Sequence, residues 1–323
     1  MRAIVRSRYG EADVLGLQEM ETPTPAANEV LVRVRASSIN MADVDYVRGR
    51  PWATRFATGL RAPKHAIPGI DLAGEVEAVG EGASTFAPGD RVLADLVDAG
   101  SGAWAEFVSV PESALVALPE GVPWTAAGAT PSSGIFGLQG VRDKRPVGPG
   151  DRVLVNGASG NVGPFAVQIA KSMGAHVTGV CRTEKMAMVR SLGADDVIDY
   201  TAQDYRTTGE RYDLIVDIAS SGHLTGIRHS LRPGGGYVLI GGSTRAYVES
   251  LLVAPIVGLA TRRKMGLLMW RANDHKDLSD LANMLADGRL EPHIDRTVGL
   301  ADLADAFAHV AAGEAQGKVV VIP

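Results

Sequence analysis

The distribution of apolar and polar positions divides the chain into two parts. Up to about residue 119, short alternating or β-branched runs are separated by Gly and Pro, for example at 30–35, 73–79 and 90–94. A period of two is typical of half-buried strands, so this part predicts an antiparallel, barrel-like β region. From about residue 122, compact apolar strands alternate with longer Ala-rich helical segments. This second pattern predicts βαβ units and a parallel sheet, with a boundary near residues 120–125.

The second part is regular enough to predict individual elements. We expect strands at 152–156, 176–180, 196–199, 214–218, 237–240 and 318–322, and helices at 162–173, 184–192, 224–231, 275–287 and 300–312. The apolar stretch 251–260 is about half a membrane span and runs into Thr-Arg-Arg-Lys, so it predicts a buried or interface helix rather than a bilayer anchor.

Composition narrows the function classes. The chain has 323 residues and a net charge of −5, so no overall positive field exists to attract nucleic acid. A single cysteine, Cys181, excludes internal disulfides and sites with several thiolates, and it fits the reducing cytoplasm. The first residues alternate like a strand and contain no apolar core of signal-peptide length. We therefore expect a cytoplasmic protein with neither nucleic acid nor a membrane as its partner.

The most informative segment is a glycine-rich turn between a predicted strand and a predicted helix. It consists of Gly157, Ala158, Ser159, Gly160, Asn161, Val162 and Gly163. Gly157 would allow the tight turn, Gly160 would let the backbone approach a pyrophosphate, and Gly163 would let the helix pack closely on the strand. The helix N-terminus adds N–H groups for the phosphates. An ordinary turn is the alternative, but the next strand follows at the expected spacing, which favours a dinucleotide site.

The end of the next strand bears on which dinucleotide binds. An NAD site requires an acidic residue about 20 positions after the glycines. Here the segment reads Cys181, Arg182, Thr183, Glu184, Lys185. A guanidinium and an ammonium beside a hydroxyl suit a 2′-phosphate, so we expect NADPH rather than NADH. The alternative is a solvated first helical turn in which Glu184 neutralises one of the two cations.

Many segments along the chain are similar to those of one family. They include 1–5, 28–32, 36–43, 68–76, 102–107, 193–195 and 317–320. Together they resemble the zinc-independent, quinone oxidoreductase-like branch of the medium-chain dehydrogenase/reductase superfamily. The resemblance implies an α/β protein with a GroES-like β-barrel catalytic domain at 1–122, rejoined by about 290–323. A Rossmann NADP-binding domain with a doubly wound parallel sheet would occupy 123–289, and the active site would lie in the cleft between the two domains.

Catalytic zinc is not expected. Zinc-containing relatives have a Cys and a His-Glu pair where this chain has Asn40 and Gly69-Ile70-Asp71. An open zinc site needs three protein ligands, which these positions do not provide. Serine hydrolase chemistry is not expected either, because Asn161 stands where the nucleophile-elbow motif requires its last glycine.

The resemblance also implies roles for individual residues. Asn40, Asp43 and Tyr46 would line the nicotinamide side, with Tyr46 as the candidate proton donor. Their alternatives are a loop-capping amide for Asn40, an orienting carboxylate for Asp43 and a half-buried barrel tyrosine for Tyr46. The remaining predicted cofactor contacts are Thr130 near the nicotinamide ribose, Lys185 and Tyr200 by the adenosine phosphate, Ala219, Ser220, Ile240, Gly241 and Gly242 along the nicotinamide half, and Lys318.

Hydride transfer from NADPH to a quinone or an α,β-unsaturated ketone is the leading hypothesis. Without a metal, the developing oxyanion favours acceptors that delocalise charge. A narrow tailoring reductase of secondary metabolism and a non-catalytic NADPH-binding sensor remain alternatives. The resemblance further implies a homodimer formed near 237–240 and 246–260, although the latter stretch could equally be an intrachain helix.

The segment 48–70 departs from shorter family members. It contains Arg48, Arg50, Arg55, Arg61, Lys64 and His65 but no acidic residue, and it also holds Trp52, Phe56 and Leu60. It could form a lid with an apolar inner face and a cationic rim over a bulky aromatic or anionic substrate. A solvated loop with scattered arginines is the alternative.

Overall fold

The structure is a computed structural model that describes residues 1–323, except for the side chains of residues 53 and 57. The chain forms two compact units. Unit 1 comprises Met1–Ile135 and Ala272–Pro323, and unit 2 comprises Phe136–Arg271.

The N-terminal part of unit 1 consists mainly of strands. They are β1 (Arg2–Val5), β2 (Gly16–Glu19), β3 (Glu29–Ile39), β4 (Asp71–Val79), β5 (Arg91–Asp95), β6 (Phe107–Pro111) and β7 (Val116–Ala117). The helices of this part are α1 (Met41–Arg48), α2 (Arg55–Thr58) and α3 (Trp124–Ala129). Helix α4 (Pro131–Arg142) follows.

Unit 2 alternates strands with helices. Its strands are β8 (Arg152–Asn156), β9 (His176–Cys181), β10 (Asp196–Asp199), β11 (Tyr212–Asp217), β12 (Leu231–Leu239) and β13 (Lys264–Leu267). Its helices are α5 (Gly163–Ser172), α6 (Met186–Ser191), α7 (Leu224–His229), α8 (Thr244–Val248) and α9 (Ala254–Thr261). The chain then returns to unit 1 with α10 (His275–Ala286), β14 (Ile294–Gly299), α11 (Leu303–Ala311) and β15 (Lys318–Ile322).

The main sheet of unit 1 has the strand order β14-β15-β3-β4-β5-β7, and β6 also pairs with β3. Most of its pairs are antiparallel, and the last strand, β15, pairs with β3 through Val319 and Ile39. Alternate residues of these strands, such as Val32, Leu72 and Val92, point into a shared core.

The six strands of unit 2 form a parallel sheet in the order β10-β9-β8-β11-β12-β13. This order matches a doubly wound dinucleotide-binding fold, in which the direction of winding reverses between the first and fourth strands, here β8 and β11. The predicted α/β class with a barrel-like domain and a doubly wound parallel sheet is thereby confirmed.

The division into compact units falls after Ile135 and before Ala272, whereas the sequence analysis placed boundaries at 122 and about 290. Helix α3 packs on β3, and α10 packs on β7 and α3. The contact of α3 is close, since a Cβ on Gly128 would lie 2.7 Å from the Cβ of Ala36. These helices resemble in sequence the helices of a parallel sheet, but they cover the barrel.

Individual elements differ from the prediction mainly at their ends. The predicted helix 224–231 ends at His229, because Leu231 already belongs to β12. Strand β12 begins six positions before the predicted 237. Its Arg-Pro-Gly-Gly-Gly run has low strand propensity, so the sequence did not predict a strand there, but the run continues the ladder with a register shift. The predicted helix 300–312 opens with a 3-10 turn, and α11 begins at Leu303.

No helix among the described residues is long and apolar enough to cross a membrane. The apolar stretch 251–260 lies in a π-helical turn and in α9. Most of its large side chains, including Leu251, Leu252, Ile256 and Leu259, are exposed in the single chain. This stretch is therefore not a helix buried within the chain.

Candidate functional site

The glycine-rich turn of unit 2 has the geometry of a phosphate cradle. Gly157 has a positive φ of 85°, and the N–H groups of Gly157 and Ala158 donate to the Val180 carbonyl at 3.1 and 3.0 Å, which fixes the turn beside β9. A Cβ on Gly163 would lie 2.3 Å from the Gly157 oxygen, so only glycine fits there. A Cβ on Gly160 would instead meet nothing nearer than 3.7 Å. Space is thus left open at Gly160, where a pyrophosphate would approach the backbone.

The first turn of α5 is suited to an anion. The helix begins at Gly163, and its N-cap residue, Val162, makes no side-chain capping hydrogen bond. The first N–H groups of a helix have no intrahelical acceptor, and the positive end of the helix dipole lies there. Together with the open space at Gly160, this arrangement fits the pyrophosphate of a dinucleotide.

The carboxyl ends of β8 and β11 meet where the winding of the sheet reverses. Asn156 donates to Asp217 Oδ1 at 2.7 Å, and Tyr237 donates to Asp217 Oδ2 at 3.2 Å. Burial raises the pKa of Asp217, and the hydrogen bonds from Asn156, Ser220 and Tyr237 oppose this shift. Asp217 was not predicted as a site residue, although a polar residue at the end of an apolar strand is a usable signal.

The predicted contacts of the nicotinamide half come together next to this position. Ser220 N–H donates to the Gly241 carbonyl at 3.0 Å, and the Ile240 N–H donates to the Asp217 carbonyl at 2.8 Å. A Cβ on Gly242 would lie 2.4 Å from the Ser220 oxygen. Ala219, Ser220, Ile240, Gly241 and Gly242 therefore form adjoining loops at the carboxyl edge of the sheet, where ligands bind in such folds.

The predicted adenosine-phosphate residues also come together. Arg182 Nε donates to the Tyr200 hydroxyl at 2.5 Å, and the Tyr200 N–H donates to the Cys181 carbonyl at 3.1 Å. Arg182, Thr183 and Tyr200 are exposed, so their polar groups can reach a ligand. Lys185 is buried and Cys181 is almost completely buried. Burial raises the pKa of the Cys181 thiol to about 11, so this thiol is not a reactive group.

Sequence reasoning missed an acidic residue beside this group. The Thr183 hydroxyl donates to Asp199, which also accepts from the Thr201 N–H at 2.8 Å and the Thr201 hydroxyl at 2.7 Å. These hydrogen bonds lower the pKa of Asp199. The parallel pairing of Asp199 with Cys181 brings this carboxylate from the end of β10 to the end of β9. The signal was present, because the predicted strand 196–199 ends on this residue.

Unit 1 contains a buried polar cluster around Lys318. Its ammonium donates to Asn40 Oδ1, to Ser133 Oγ at 3.1 Å and to Asp71 Oδ2 at 3.2 Å. Asp71 also accepts from the Ser38 hydroxyl and from the Ser132 N–H. Lys318 and Asp71 have no solvent-exposed surface. Asp71 and Ser133 were not predicted as members of a site, because they meet Lys318 only in the folded chain, Asp71 from β4 and Ser133 from α4.

The Asn40 amide is fully occupied within this cluster. Its nitrogen donates to Asp71 Oδ2 at 2.9 Å and to Asp43 Oδ2 at 3.2 Å. Its oxygen accepts from Lys318 and from the Ser133 hydroxyl. A primary amide has two donors and two acceptor lone pairs, so no group remains for a ligand in this arrangement. The hydrogen bonds favour the alternative of a structural, loop-capping amide for Asn40 over contact with nicotinamide.

Asp43 likewise orients its neighbours. It accepts from the Asn40 N–H at 2.9 Å, at the start of α1, and from the Ile70 N–H at 3.2 Å. Burial raises its pKa to about 7. Thr130 is also fully buried, and its hydroxyl donates to the Ala126 carbonyl at 2.7 Å. Both side chains face the interior of unit 1.

Tyr46 differs from these residues because it is only half-buried. It follows Asp43 by three positions on α1, so both lie on one face of the helix. Burial and then the carboxylates of Asp43 and Asp95 raise the pKa of Tyr46 to about 12. The phenol therefore keeps its proton at neutral pH, which a proton donor requires.

A third buried carboxyl, Asp95, lies on the strand next to Asp71. The two residues pair directly between β4 and β5. Asp95 Oδ1 accepts from the Val97 N–H at 3.1 Å, whereas Oδ2 is buried and has no hydrogen-bond partner among the residues that the structure describes. Burial and then repulsion by Asp71 raise the pKa of Asp95 well above its usual range. Among the described residues, no group of three or more His, Cys, Asp or Glu side chains could hold a metal ion.

Comparison with known proteins identifies the family to which this fold belongs. The family models of an alcohol dehydrogenase GroES-like domain and of a zinc-binding dehydrogenase match residues 26–120 and 192–321. The chain is 31% identical to a chloroplast envelope quinone oxidoreductase homolog of Arabidopsis thaliana, over 100% of this chain and 98% of the relative. It is also 31% identical to the trans-enoyl reductase pgmF of Aspergillus terreus, over 91% of this chain and 86% of the relative.

A similar solved structure is that of the quinone oxidoreductase from Coxiella burnetii. Its TM-score is 0.84 at 25% identity, with 100% of this chain and 99% of that chain covered. The fold and the site thus define an NAD(P)H-type oxidoreductase. The chain belongs to the medium-chain dehydrogenase/reductase superfamily and resembles its quinone oxidoreductases, which confirms the resemblance inferred from the sequence.

Proposed function

We propose that this oxidoreductase uses NADPH to reduce a quinone or an α,β-unsaturated ketone, and that it does so without zinc. The observation that carries the proposal is the Lys318 cluster. Asn40 and Asp71 stand at positions where zinc-containing relatives have metal ligands, and here both contact a buried ammonium. A fixed positive charge there would repel a divalent cation. An acceptor that delocalises its own negative charge reduces the need for a Lewis acid.

The residues of unit 2 that would hold the dinucleotide fit it by chemistry and by space. The open turn from Gly157 to Gly163 would hold the pyrophosphate. Arg182, Thr183 and Tyr200, with Lys185 behind them, would bind the 2′-phosphate, and the loops at 219–220 and 240–242 would hold the nicotinamide half. When bound, the cofactor supplies the hydride. Arg182 favours NADPH because its guanidinium is exposed, while the carboxylate of Asp199 is already engaged by two threonines.

We propose that Tyr46 donates the proton that the reduced acceptor requires. Its phenol keeps the proton at neutral pH and could pass it from Oη to the oxygen of the reduced acceptor. Asn40 and Asp43 would then act as positioning residues, because they hold the start of α1 against Ile70 and Asp71. Lys318 and Thr130 would likewise support this part of unit 1 from the interior.

We further propose a homodimer. The edge strand β13 and the adjoining α9 leave Ile256 and Leu259 exposed by 69% and 86%. Exposed apolar side chains beside an open sheet edge favour association with another chain. A reducing compartment such as the cytoplasm suits the single buried cysteine.

The deciding experiment has two steps. Fluorescence titration of the purified chain with NADPH and NADH measures which cofactor binds more tightly. Absorbance of the reduced nicotinamide then reports turnover with a panel of quinones and enones. We expect tighter binding of NADPH and its oxidation by several panel members. Binding without oxidation would support an NADPH-binding sensor, and failure to bind either cofactor would refute the proposal.

One observation favours a second candidate. The similarity to a trans-enoyl reductase extends over 91% of this chain. A narrow reductase of this kind would ignore simple quinones and oxidise NADPH with one particular enone, and the same panel separates the two outcomes.

A further inference from the structure

The segment between α1 and β4 exposes three large apolar side chains. Trp52, Phe56 and Leu60 are 61%, 64% and 57% exposed. The rings of Trp52 and Phe56 contact each other edge to face, with their centroids 4.9 Å apart, and neither ring is buried in a core. Single exposed apolar residues are common, but three of them within nine positions form a patch that needs a partner.

This patch rests on an anchored base. The Tyr9 hydroxyl donates to the Gly59 carbonyl at 2.6 Å and lies 2.9 Å from the Thr58 hydroxyl. The Arg55 guanidinium lies over the Tyr9 ring at 4.6 Å and donates to the Gly49 carbonyl at 3.1 Å. These contacts hold the segment on unit 1, while Trp52, Phe56 and Leu60 of the same segment remain exposed.

The chain segment that carries the patch is rich in positive charge. The segment 48–70 contains five Lys or Arg residues and one His but no acid, within a chain whose net charge is −5. Arg48 pairs with Glu11, and Arg55 is engaged by Tyr9. Arg50, Arg61 and Lys64 are exposed, and no ion pair to them is found among the described residues.

We propose that this surface docks on an anionic lipid bilayer. Apolar side chains with an aromatic ring among them enter the headgroup boundary, and surrounding cations bind anionic lipids; the two effects add. The tryptophan indole is suited to that boundary because it combines an apolar ring with a polar N–H. The expectation of no membrane partner came from the lack of a spanning segment, but an interfacial surface does not require one.

The charge pattern argues against a second copy as the occupant. A two-fold contact through this patch would place Arg50, Arg61 and Lys64 against their own copies, and like charges across an interface oppose association.

Apolar quinones partition into lipid, so an enzyme docked on a bilayer would meet them there. This last consequence rests on the proposed function, whereas docking itself does not.

The test is sedimentation of the full chain with vesicles at about 0.1 M salt. The vesicles consist of phosphatidylcholine alone or of phosphatidylcholine with about 30% phosphatidylglycerol. We expect binding to the anionic vesicles only, and weaker binding as salt rises. Trp52→Ala/Phe56→Ala should reduce binding at least tenfold, and Arg50→Gln/Lys64→Gln should reduce it by about fivefold per charge removed. The control, Leu17→Ala/Met20→Ala, removes two other exposed apolar side chains of unit 1 and should bind like the wild type.

A second measurement does not depend on how well the alanine variant folds. Lipids brominated in their chains should quench the fluorescence of Trp52, and Trp52→Phe, which keeps an aromatic ring, should bind but lose this quenching. No binding to anionic vesicles, or equal binding by the aromatic double variant, would overturn the proposal. Three other results would also overturn it. The Trp52→Ala/Phe56→Ala variant could change only the oligomeric state, or it could lose turnover of a soluble quinone while its vesicle binding stays unchanged. The wild type could instead bind a single-stranded oligonucleotide but not vesicles. Cofactor titration is independent of all these outcomes, so failure of docking is distinct from failure of the proposed function.

Discussion

Lys318 and Asp71 form a buried ion pair that joins the last strand of the chain to the barrel. The ammonium lies 3.2 Å from Asp71 Oδ2, and neither side chain is exposed. The two residues are 247 positions apart, so the pair forms only when β15 has joined β3. Asp43 and Asp95 are buried in the same unit, and the pKa values of both are raised. The ammonium pairs with Asp71, whereas burial disfavours the charged forms of the other two carboxyls.

Removing the ammonium should destabilise the protein strongly. Lys318→Met leaves Asp71 as a buried charge without its counterion, which should lower the free energy of unfolding by about 3–5 kcal/mol. Urea denaturation at neutral pH measures the change. Lys318→Met/Asp71→Asn should recover part of the loss, because the uncompensated charge is gone. A double variant no more stable than the single one would contradict this account of the cluster.

Two glycine substitutions should separate folding from cofactor binding. A Cβ on Gly160 meets nothing within 3.4 Å, so Gly160→Ala should fold normally but occupy space needed by the pyrophosphate. We expect NADPH affinity to fall at least tenfold and the melting temperature to stay unchanged. Gly163→Ala should lower both, because its Cβ would lie 2.4 Å from the Ala158 carbonyl carbon. Unchanged NADPH affinity in Gly160→Ala would argue against this turn as the phosphate site.

Arg182 should determine the preference for NADPH. Hydrogen bonds to charged groups contribute about 1.5–3 kcal/mol, so Arg182→Ala should weaken NADPH binding by about 10- to 100-fold and leave NADH binding unchanged. Arg190→Ala is the matched control, since it removes an exposed arginine from α6 in the same region. Fluorescence titrations with both cofactors test the prediction. Equal losses for NADPH and NADH would indicate a role other than recognition of the 2′-phosphate.

Tyr46 should affect turnover without affecting cofactor binding. Tyr46→Phe removes only the proposed proton donor, so kcat should fall by about 10²- to 10⁴-fold with an unchanged Kd for NADPH. The pKa of Tyr46 is raised to about 12, so its proton is lost only at strongly alkaline pH. The wild-type rate should therefore show no loss of this donor between neutral pH and about pH 10. If Tyr46→Phe keeps the wild-type kcat, Tyr46 is not the proton donor and is only a half-buried tyrosine of the barrel.

The apolar surface of α9 should be needed for dimer formation. Ile256→Asp/Leu259→Asp places charges on side chains that are 69% and 86% exposed in the single chain. We expect light scattering to show a monomer that still binds NADPH, because a charge buried at an interface without a partner is costly. Leu17→Asp, at a position of unit 1 that is 43% exposed, should leave the dimer intact. A monomeric wild type would refute the proposed dimer.

Much of unit 2 could be predicted from local sequence. Strands 152–156 and 196–199 have the predicted bounds, and the turn from Gly157 to Gly163 has the expected geometry. These features depend on residues within a few positions of one another, where periodicity, glycine conformation and helix termini act. The family resemblance extends this reach, because it draws on many short segments at once. It is the basis on which Tyr46 was selected, whereas Arg182 was selected from its place at the end of the predicted strand.

Only the tertiary structure decided which groups meet. Asp199 reaches Thr183 through the parallel pairing of β9 and β10, and this contact was missed because the two residues are 16 positions apart. Lys318, Asn40 and Asp71 come from three distant segments, and their contacts occupy the Asn40 amide, which the sequence analysis placed on the nicotinamide side of the active site. The sequence by itself determined the elements, the class of fold and the residue types available for chemistry, because these depend on local patterns. Burial, pKa and the remaining hydrogen-bonding capacity depend on neighbours brought together by strand pairing, and these were settled only by the folded chain.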